Sequence, residues 1–65
     1  MTIKLNGVAK ETSAQTVAQL LEENNLRSDG LAVAKNGAVV RRADHASTPL
    51  HESDEIEIIR AVQGG

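Results

Sequence analysis

Apolar and polar residues alternate at the start of the chain, a pattern that predicts a β-hairpin. Ile3 and Leu5 alternate with polar residues within the stretch Thr2–Asn6, as in a half-buried strand. Asn6-Gly7 follows, and this pair tolerates the positive φ angles of a two-residue hairpin turn. We therefore expect Val8–Thr12 to return beside the first strand.

Helical periodicity begins at Thr16. Val17, Leu20 and Leu21 fall at spacings i, i+3 and i+4, which gives a helix one narrow apolar stripe. Thr16 and Gln19 match a capping box, in which the two side chains satisfy free N–H groups reciprocally at the helix N-terminus. A helix beginning here is expected to lie with this stripe against a sheet.

The end of this helix is marked by asparagines. Asn24 or Asn25 can take the left-handed conformation that ends a helix, and Leu26 can then fold back onto it. Glu22 and Glu23 lie off the apolar stripe and are expected to face solvent. Residues 27–30 are expected to form a loop.

A second hairpin is predicted in the middle of the chain. Leu31–Ala34 is a short apolar run, so we expect a central strand that is covered, or nearly covered, on both faces. Asn36-Gly37 repeats the turn signal, and Ala38–Val40 is the returning strand. Arg41-Arg42 is expected to form a solvated, charged edge that discourages strand aggregation.

Residues 43–53 have no clean period. Pro49 argues against regular strand pairing, and Leu50 is the expected core contact. The chain has two histidines, His45 and His51, with no cysteine and no carboxylate cluster beside them, so we expect surface or loop histidines and no metal site.

The last strand is predicted at Glu55–Arg60, after a turn at residues 52–54. Ile56 and Ile58 face one side, while Glu55, Glu57 and Ile59 face the other. Ile59 is thus an apolar residue on an acidic outer face. It lies close to the C-terminal residues, where a partner would dock.

These elements predict an α+β fold of the β-grasp type. A single helix cannot bury its own stripe, so it must lie across one face of a mixed sheet. The isoleucine-rich last strand is placed centrally, beside the first strand. We expect residues 1–60 to form this domain and residues 61–65 to form a flexible tail.

Composition narrows the possible functions. Sixty-five residues without Cys, Phe, Trp or Tyr allow one small domain with an aliphatic core and no cysteine chemistry. The absence of aromatic rings and the net charge of −2 argue against nucleic-acid binding. No apolar run is long enough for a membrane span or a signal peptide, so a cytoplasmic protein is expected. Because the chain is small and poor in side-chain nucleophiles, we do not expect it to be an enzyme by itself.

The terminal residues Ala61–Gly65 are the candidate reactive group. Glycine lacks a Cβ atom, so Gly64-Gly65 forms a thin segment that can thread a narrow channel. Five extended residues span roughly 17 Å, which would carry a terminal carboxylate deep into a partner. The competing interpretation is a frayed chain end without function.

Taken together and in order, these features resemble the ubiquitin-like sulfur carriers of bacteria, and among them the carriers of thiamine biosynthesis. The likeness covers essentially the whole chain. This chain departs from the family at three positions. The family often has proline where Arg41 stands, an aromatic residue near His45, and glycine at the position of Ser53. The features that carry it are Asn6-Gly7, Thr16-Val17, Leu20-Leu21, Val33, Asn36, Val40, Arg42, residues 54–58, Val62 and Gly64-Gly65.

This resemblance implies a reaction at Gly65. The Gly65 carboxylate would be adenylated by an E1-like adenylyltransferase that consumes ATP, and no cofactor would be bound by the carrier itself. A cysteine desulfurase or another donor would supply sulfur, and a thiazole synthase would receive it. Gly64, Gln63 and Val62 would thread the partner's channel. A surface carrying Ile59, with Glu57 and Arg60 at its rim, would bind the partner.

Three alternatives remain open on the residues alone. The chain could be the related carrier of molybdopterin synthesis, although its length and its proline-free approach to the tail favour the thiamine branch. It could be a ubiquitin-like modifier that is transferred to lysine. It could also be a plain β-grasp binding module whose terminal glycines are incidental.

Overall fold

The computed structural model describes residues 1–27 and 30–60, which form a five-stranded mixed sheet and one α-helix. The strand order is β2-β1-β5-β3-β4, with β5 parallel to β1 and the other neighbours antiparallel. This confirms the β-grasp arrangement and the central position of the last strand. The elements are β1 Thr2–Leu5, β2 Val8–Glu11, α1 Val17–Glu23, β3 Leu31–Lys35, β4 Ala38–Val40, a 3₁₀ helix Arg42–Ser47, and β5 Glu55–Arg60.

The core lies between α1 and the inner face of the sheet and is entirely aliphatic. The three stripe residues of α1 are buried against side chains from β1, β3 and β5, and Leu50 closes the cluster as expected. Full burial of each large aliphatic side chain stabilises the fold by about 1.5–3 kcal/mol. The buried members are Ile3, Ala14, Val17, Leu20, Leu21, Val33, Leu50 and Ile56.

Both ends of α1 are capped by the predicted residues. The Thr16 hydroxyl accepts the N–H of Gln19 at 3.2 Å. The Gln19 side chain reaches back one residue further than expected and accepts the N–H of Gln15 at 2.8 Å. At the other end Asn25 has a φ of 57°, and Leu26 donates its N–H to the Leu21 carbonyl at 2.8 Å. These bonds satisfy groups that the helix termini leave free.

Glu23 is exposed, as expected, but it also ties the helix to the loop before it. Its carboxylate accepts the Thr12 hydroxyl at 2.6 Å and the Ser13 hydroxyl at 3.1 Å. The Thr12 bond is the main reason that the pKa of Glu23 lies below its usual value, because it favours the ionised form.

Three sequence-based expectations are wrong. Strand β3 is not covered on both faces, because Ala32 is exposed on the open outer face of the sheet. Arg41 and Arg42 are exposed, as expected, but they do not line a strand edge: Arg42 begins the 3₁₀ helix, and the Arg41 Nε lies 3.2 Å from Asp44 Oδ2. His45 is not a surface histidine, since only 4% of it is exposed.

His45 is buried because the 3₁₀ helix packs against α1. A groove of about 310 Å³ runs between these helices, lined mainly by Ala18, Leu21, Leu26, Ala43 and Ala46 beside His45. Within the described residues the His45 Nδ1 has no hydrogen-bond partner. His51 is exposed, as expected. The part of the chain that the structure describes contains no cluster of His, Asp and Glu arranged to hold a metal.

Pro49 lies in an isolated bridge with Thr16, not in a strand. Its neighbours make the hydrogen bonds: Val17 donates to the Thr48 carbonyl at 3.0 Å and Leu50 donates to the Gln15 carbonyl at 2.9 Å. The pairing therefore requires no N–H at Pro49. Across residues 1–27 and 30–60, no helix has the length and apolar character needed to cross a membrane.

Candidate functional site at the outer face and end of the last strand

Strand β5 presents the predicted acidic and apolar residues on the outer face of the sheet. Glu55 and Glu57 are exposed there, and Ile59 is 63% exposed, whereas Ile56 on the other side is buried. The period of two along a strand places these side chains as the sequence predicts. An exposed isoleucine next to carboxylates gives this surface an apolar centre with an acidic border.

The sheet register brings further apolar residues to Ile59, and sequence reasoning missed them. Ala32 lies directly opposite Ile59, Ala34 lies opposite Glu57, and Val39 lies opposite Ala34. Val39 is 79% exposed, and with these neighbours it lines a shallow depression of about 170 Å³. The alternation within each strand was visible in the sequence. The cross-strand register that joins the three strands was not.

Arg60 lies at the end of β5, opposite Leu31 of β3. Strand alternation puts it on the side of Ile58, away from the face that carries Glu57 and Ile59. Its side chain is exposed, but it lies on the other face and is not part of the apolar patch.

The start of β5 is fixed by a buried carboxylate. Asp54, 8% exposed, accepts the Asn36 side-chain N–H at 3.0 Å and the His51 main-chain N–H at 2.8 Å, and the Lys35 ammonium lies 3.5 Å away. Burial acts to raise the pKa of Asp54, but these hydrogen bonds and the Lys35 charge outweigh it, so the pKa lies below its usual value.

Near its other end β5 is held by Asn6. The Asn6 side-chain oxygen accepts the Ile58 N–H at 2.8 Å, and the Asn6 main-chain N–H donates to the Ile56 carbonyl at 2.9 Å. The direction of the strand that leads toward the tail is thus set at both ends. The proposed reactive residue Gly65 and the threading residues Gly64, Gln63 and Val62 lie outside the described residues.

A β-grasp domain with an exposed apolar patch beside its last strand belongs to the ubiquitin-like class of folds. In sequence, residues 3–65 match the model of the ThiS family. The chain is 35% identical to the sulfur carrier protein ThiS of Escherichia coli, and the match covers 100% of both chains. This chain belongs to the ThiS family.

Two other similarities extend the comparison. The chain is 35% identical to part of a thiazole synthase of Magnetococcus marinus, and the match covers 100% of this chain but only 20% of that relative. The crystal structure of a thiamine biosynthesis protein (ThiS) from Geobacter metallireducens superposes with a TM-score of 0.87, at 23% identity and with both chains fully covered. The structural match shows the fold.

Proposed function

We propose that this chain is a sulfur carrier whose Gly65 carboxylate is adenylated and converted to a thiocarboxylate, which then donates sulfur for thiazole formation in thiamine biosynthesis. The observation that carries the proposal is the family match, which extends through Gly64-Gly65 to residue 65. The exposed apolar patch next to the last strand supports it, because a carrier must dock on the enzymes that act on its tail.

The proposed chemistry follows from the nature of a terminal carboxylate. Its pKa is about 3.3–3.7, so it is ionised near neutral pH and is a poor electrophile. Attack of a carboxylate oxygen on the α-phosphorus of ATP releases pyrophosphate and gives a mixed anhydride with AMP. A sulfur nucleophile then attacks the Gly65 carbonyl carbon and AMP leaves. With a persulfide donor, a second thiol cleaves the S–S bond and frees the thiocarboxylate.

In this scheme the chain is a protein co-substrate and the catalytic groups belong to its partners. An E1-like adenylyltransferase would bind ATP, and a cysteine desulfurase or another donor would supply the sulfur. The chain supplies the carboxyl group and the surface that positions it. Such a role fits a cytoplasmic location.

A thiazole synthase is the proposed sulfur acceptor. The Magnetococcus marinus relative carries that name, and this chain matches one fifth of it. A carrier segment within the same polypeptide as a synthase would raise the effective concentration of its tail at the synthase. Separate chains with the same chemistry need a docking surface instead.

The patch around Ile59 is the proposed docking surface. Ordering five tail residues in a channel costs about 5–10 kcal/mol of backbone conformational entropy. Contacts by Ile59, Ala32 and Val39 could offset part of that cost, and the charge of Glu57 could orient the partner on the patch. We expect Ile59→Glu to slow adenylation when the carrier is limiting, with the fold unchanged. Unaltered kinetics would rule this surface out.

The direct test is the intact mass of the chain after incubation with the adenylyltransferase, ATP and a sulfur source. Exchange of one oxygen for sulfur at Gly65 is the expected result, and deletion of Gly65 should abolish it. A plain binding module would keep its partner affinity after that deletion. A mass shift from attachment to lysine would indicate a modifier, and transfer to a molybdopterin synthase instead of a thiazole synthase would indicate the other carrier pathway.

A further inference from the structure

Strand β1 ends before β5 does, and the last part of β5 is left with an open edge. The ladder between them runs from Lys4↔Glu55 to Leu5↔Ile56. On the other side β3 continues to pair with β5 as far as Arg60. Among residues 1–27 and 30–60, no strand lies beside the β1 side of β5 after Ile56.

The groups that point to this open side can be assigned from the hydrogen bonds. Lys4 donates to the Asp54 carbonyl and Asn6 donates to the Ile56 carbonyl, each at 2.9 Å. The main-chain N–H and C=O groups of the even-numbered residues of β5 therefore point toward β1. Asn36 donates to the Glu55 carbonyl at 2.7 Å, so the odd-numbered residues face β3. By this alternation the Ile58 carbonyl and the Arg60 N–H point to the open side.

Among residues 1–27 and 30–60, Asn6 is the last to complete this ladder. Its backbone turns away, with φ of 51° followed by 83° at Gly7, and its side-chain oxygen accepts the Ile58 N–H in place of a main-chain carbonyl. In a parallel ladder, one residue donates to one carbonyl and accepts the N–H two positions later. The next such pair on β5 is the Ile58 carbonyl and the Arg60 N–H, which we call the open rung.

We propose that the open rung binds one residue of an extended segment of the adenylating partner, which adds to the sheet parallel to β5. Continuing the register from Leu5↔Ile56 puts that residue opposite Ile59, on the outer face. Its side chain would lie beside an isoleucine that is 63% exposed, so it is apolar. Strand addition of this kind derives affinity from main-chain hydrogen bonds and specificity from such side chains.

This inference rests on the proposed function and makes the partner contact specific. The rung would anchor Arg60, the residue directly before Ala61–Gly65. The tail would then start from a fixed point, and its reach would depend only on its own extension. The patch and the rung form one continuous interface, because Ile59 belongs to both.

The test removes a single N–H. Chemical synthesis of the 65-residue chain allows the Arg60 amide N–H to be replaced by an ester oxygen, which leaves the side chain intact. The matched control is an ester at Ala9. Leu5 and Val8 flank a two-residue turn and form a hydrogen-bonded pair, so the N–H of the next residue, Ala9, points away from β1. It lies at the free edge of β2, far from the open rung.

We expect the Arg60 ester to weaken binding to the adenylyltransferase roughly three- to tenfold, as loss of one interface hydrogen bond implies, and the Ala9 ester to change it less than about twofold. Binding is measured by titration calorimetry, with thermal unfolding as a check on the fold. Equal dissociation constants for the two esters would overturn the proposal. If the unmodified chain were not adenylated at all, the proposed function would fail instead.

Hydrogen exchange of the Arg60 amide gives an independent measurement. It should be fast in the free chain and slowed at least about tenfold in the complex, since a bonded edge amide becomes protected. If protection of this amide in the free chain rises with chain concentration, the edge binds a second copy of the chain, and the proposal is overturned. Arg60→Pro, which also lacks this N–H, should bind more weakly than Arg60→Ala.

Discussion

The two Asn-Gly turns have the same backbone conformation but hold the last strand in different surroundings. Asn6 and Asn36 both have φ of 51°, and the glycines after them have φ of 83° and 87°. Each asparagine donates its main-chain N–H to a carbonyl of β5 and accepts an N–H of β5 on its side-chain oxygen. The turn signal is therefore repeated. In both turns the asparagine side-chain oxygen also takes the place of a main-chain carbonyl of a neighbouring strand.

The difference lies in what each asparagine joins. Asn36 holds the start of β5 and makes a further bond to Asp54, which is also bound by the His51 N–H and lies near Lys35. Asn6 holds β5 near its end, beside the open rung. The start of β5 is thus constrained by several redundant contacts that fix its position. At its end β5 remains paired with β3, but on the β1 side the described residues hold it only through Asn6, which leaves the open rung available for recognition.

The largest expected effect is at Asp54. Asp54→Ala removes the acceptor of two hydrogen bonds in a buried place, so we expect the free energy of unfolding to fall by roughly 2–4 kcal/mol. Urea denaturation followed by circular dichroism measures this. Glu55→Ala, which removes an exposed carboxylate one residue further along, is the control and should change the stability by less than about 0.5 kcal/mol. Similar small losses in both variants would show that the start of β5 is not specially fixed.

A matched pair of glycine substitutions compares the two turns directly. Asn36→Gly and Asn6→Gly both keep the left-handed backbone and both remove the side-chain acceptor, so the cost of introducing glycine largely cancels between them. We expect a loss of roughly 1.5–3 kcal/mol for Asn36→Gly, because Asp54 also loses a donor, and roughly 0.5–1.5 kcal/mol for Asn6→Gly. Equal losses in urea denaturation would contradict the asymmetry between the ends.

Much of this fold follows from local signals in the sequence. The Asn-Gly pairs predict both turns, and the spacing of Val17, Leu20 and Leu21 predicts the helix. The alternation along residues 55–60 predicts which face of the sheet carries Ile59. The bonds from Asn6 to Ile58 and from Asn36 to Asp54 join residues 52 and 18 positions apart, and no local pattern encodes them. The strand register, which places Val39 opposite Ala34 and so on the same patch as Ile59, is likewise a property of the assembled sheet.

The burial of His45 was missed for a related reason. Residues 43–53 have no period, so nothing local showed that the 3₁₀ helix would lie on α1. The resemblance to a family with an aromatic residue near this position was the available signal for a buried ring.

The contribution of Asp54 should depend on pH. Its pKa is lower in the folded chain than in the unfolded chain, so its stabilising effect is complete above about pH 4, the unfolded value, and is lost as the pH falls through the folded value. Urea midpoints measured from pH 6 down to pH 2 should show this loss. Asp54→Asn should have a shallower slope over that range, and the same slope as the original chain would exclude Asp54 as a cause.

The smallest expected effect is at Ser53, in the turn that leads into β5. Ser53 has a φ of 70°, in the left-handed region that disfavours residues with a Cβ atom. Ser53→Gly relieves that strain, while the greater freedom of glycine in the unfolded chain offsets part of the gain. We expect a net gain of about 0.5 kcal/mol, which raises Tm by roughly 2–4 °C. Ser53→Ala keeps the Cβ atom and should give no gain, so thermal unfolding of the two variants isolates the backbone strain. A gain from alanine equal to that from glycine would mean that the serine hydroxyl, and not the conformation, is the unfavourable feature of this turn.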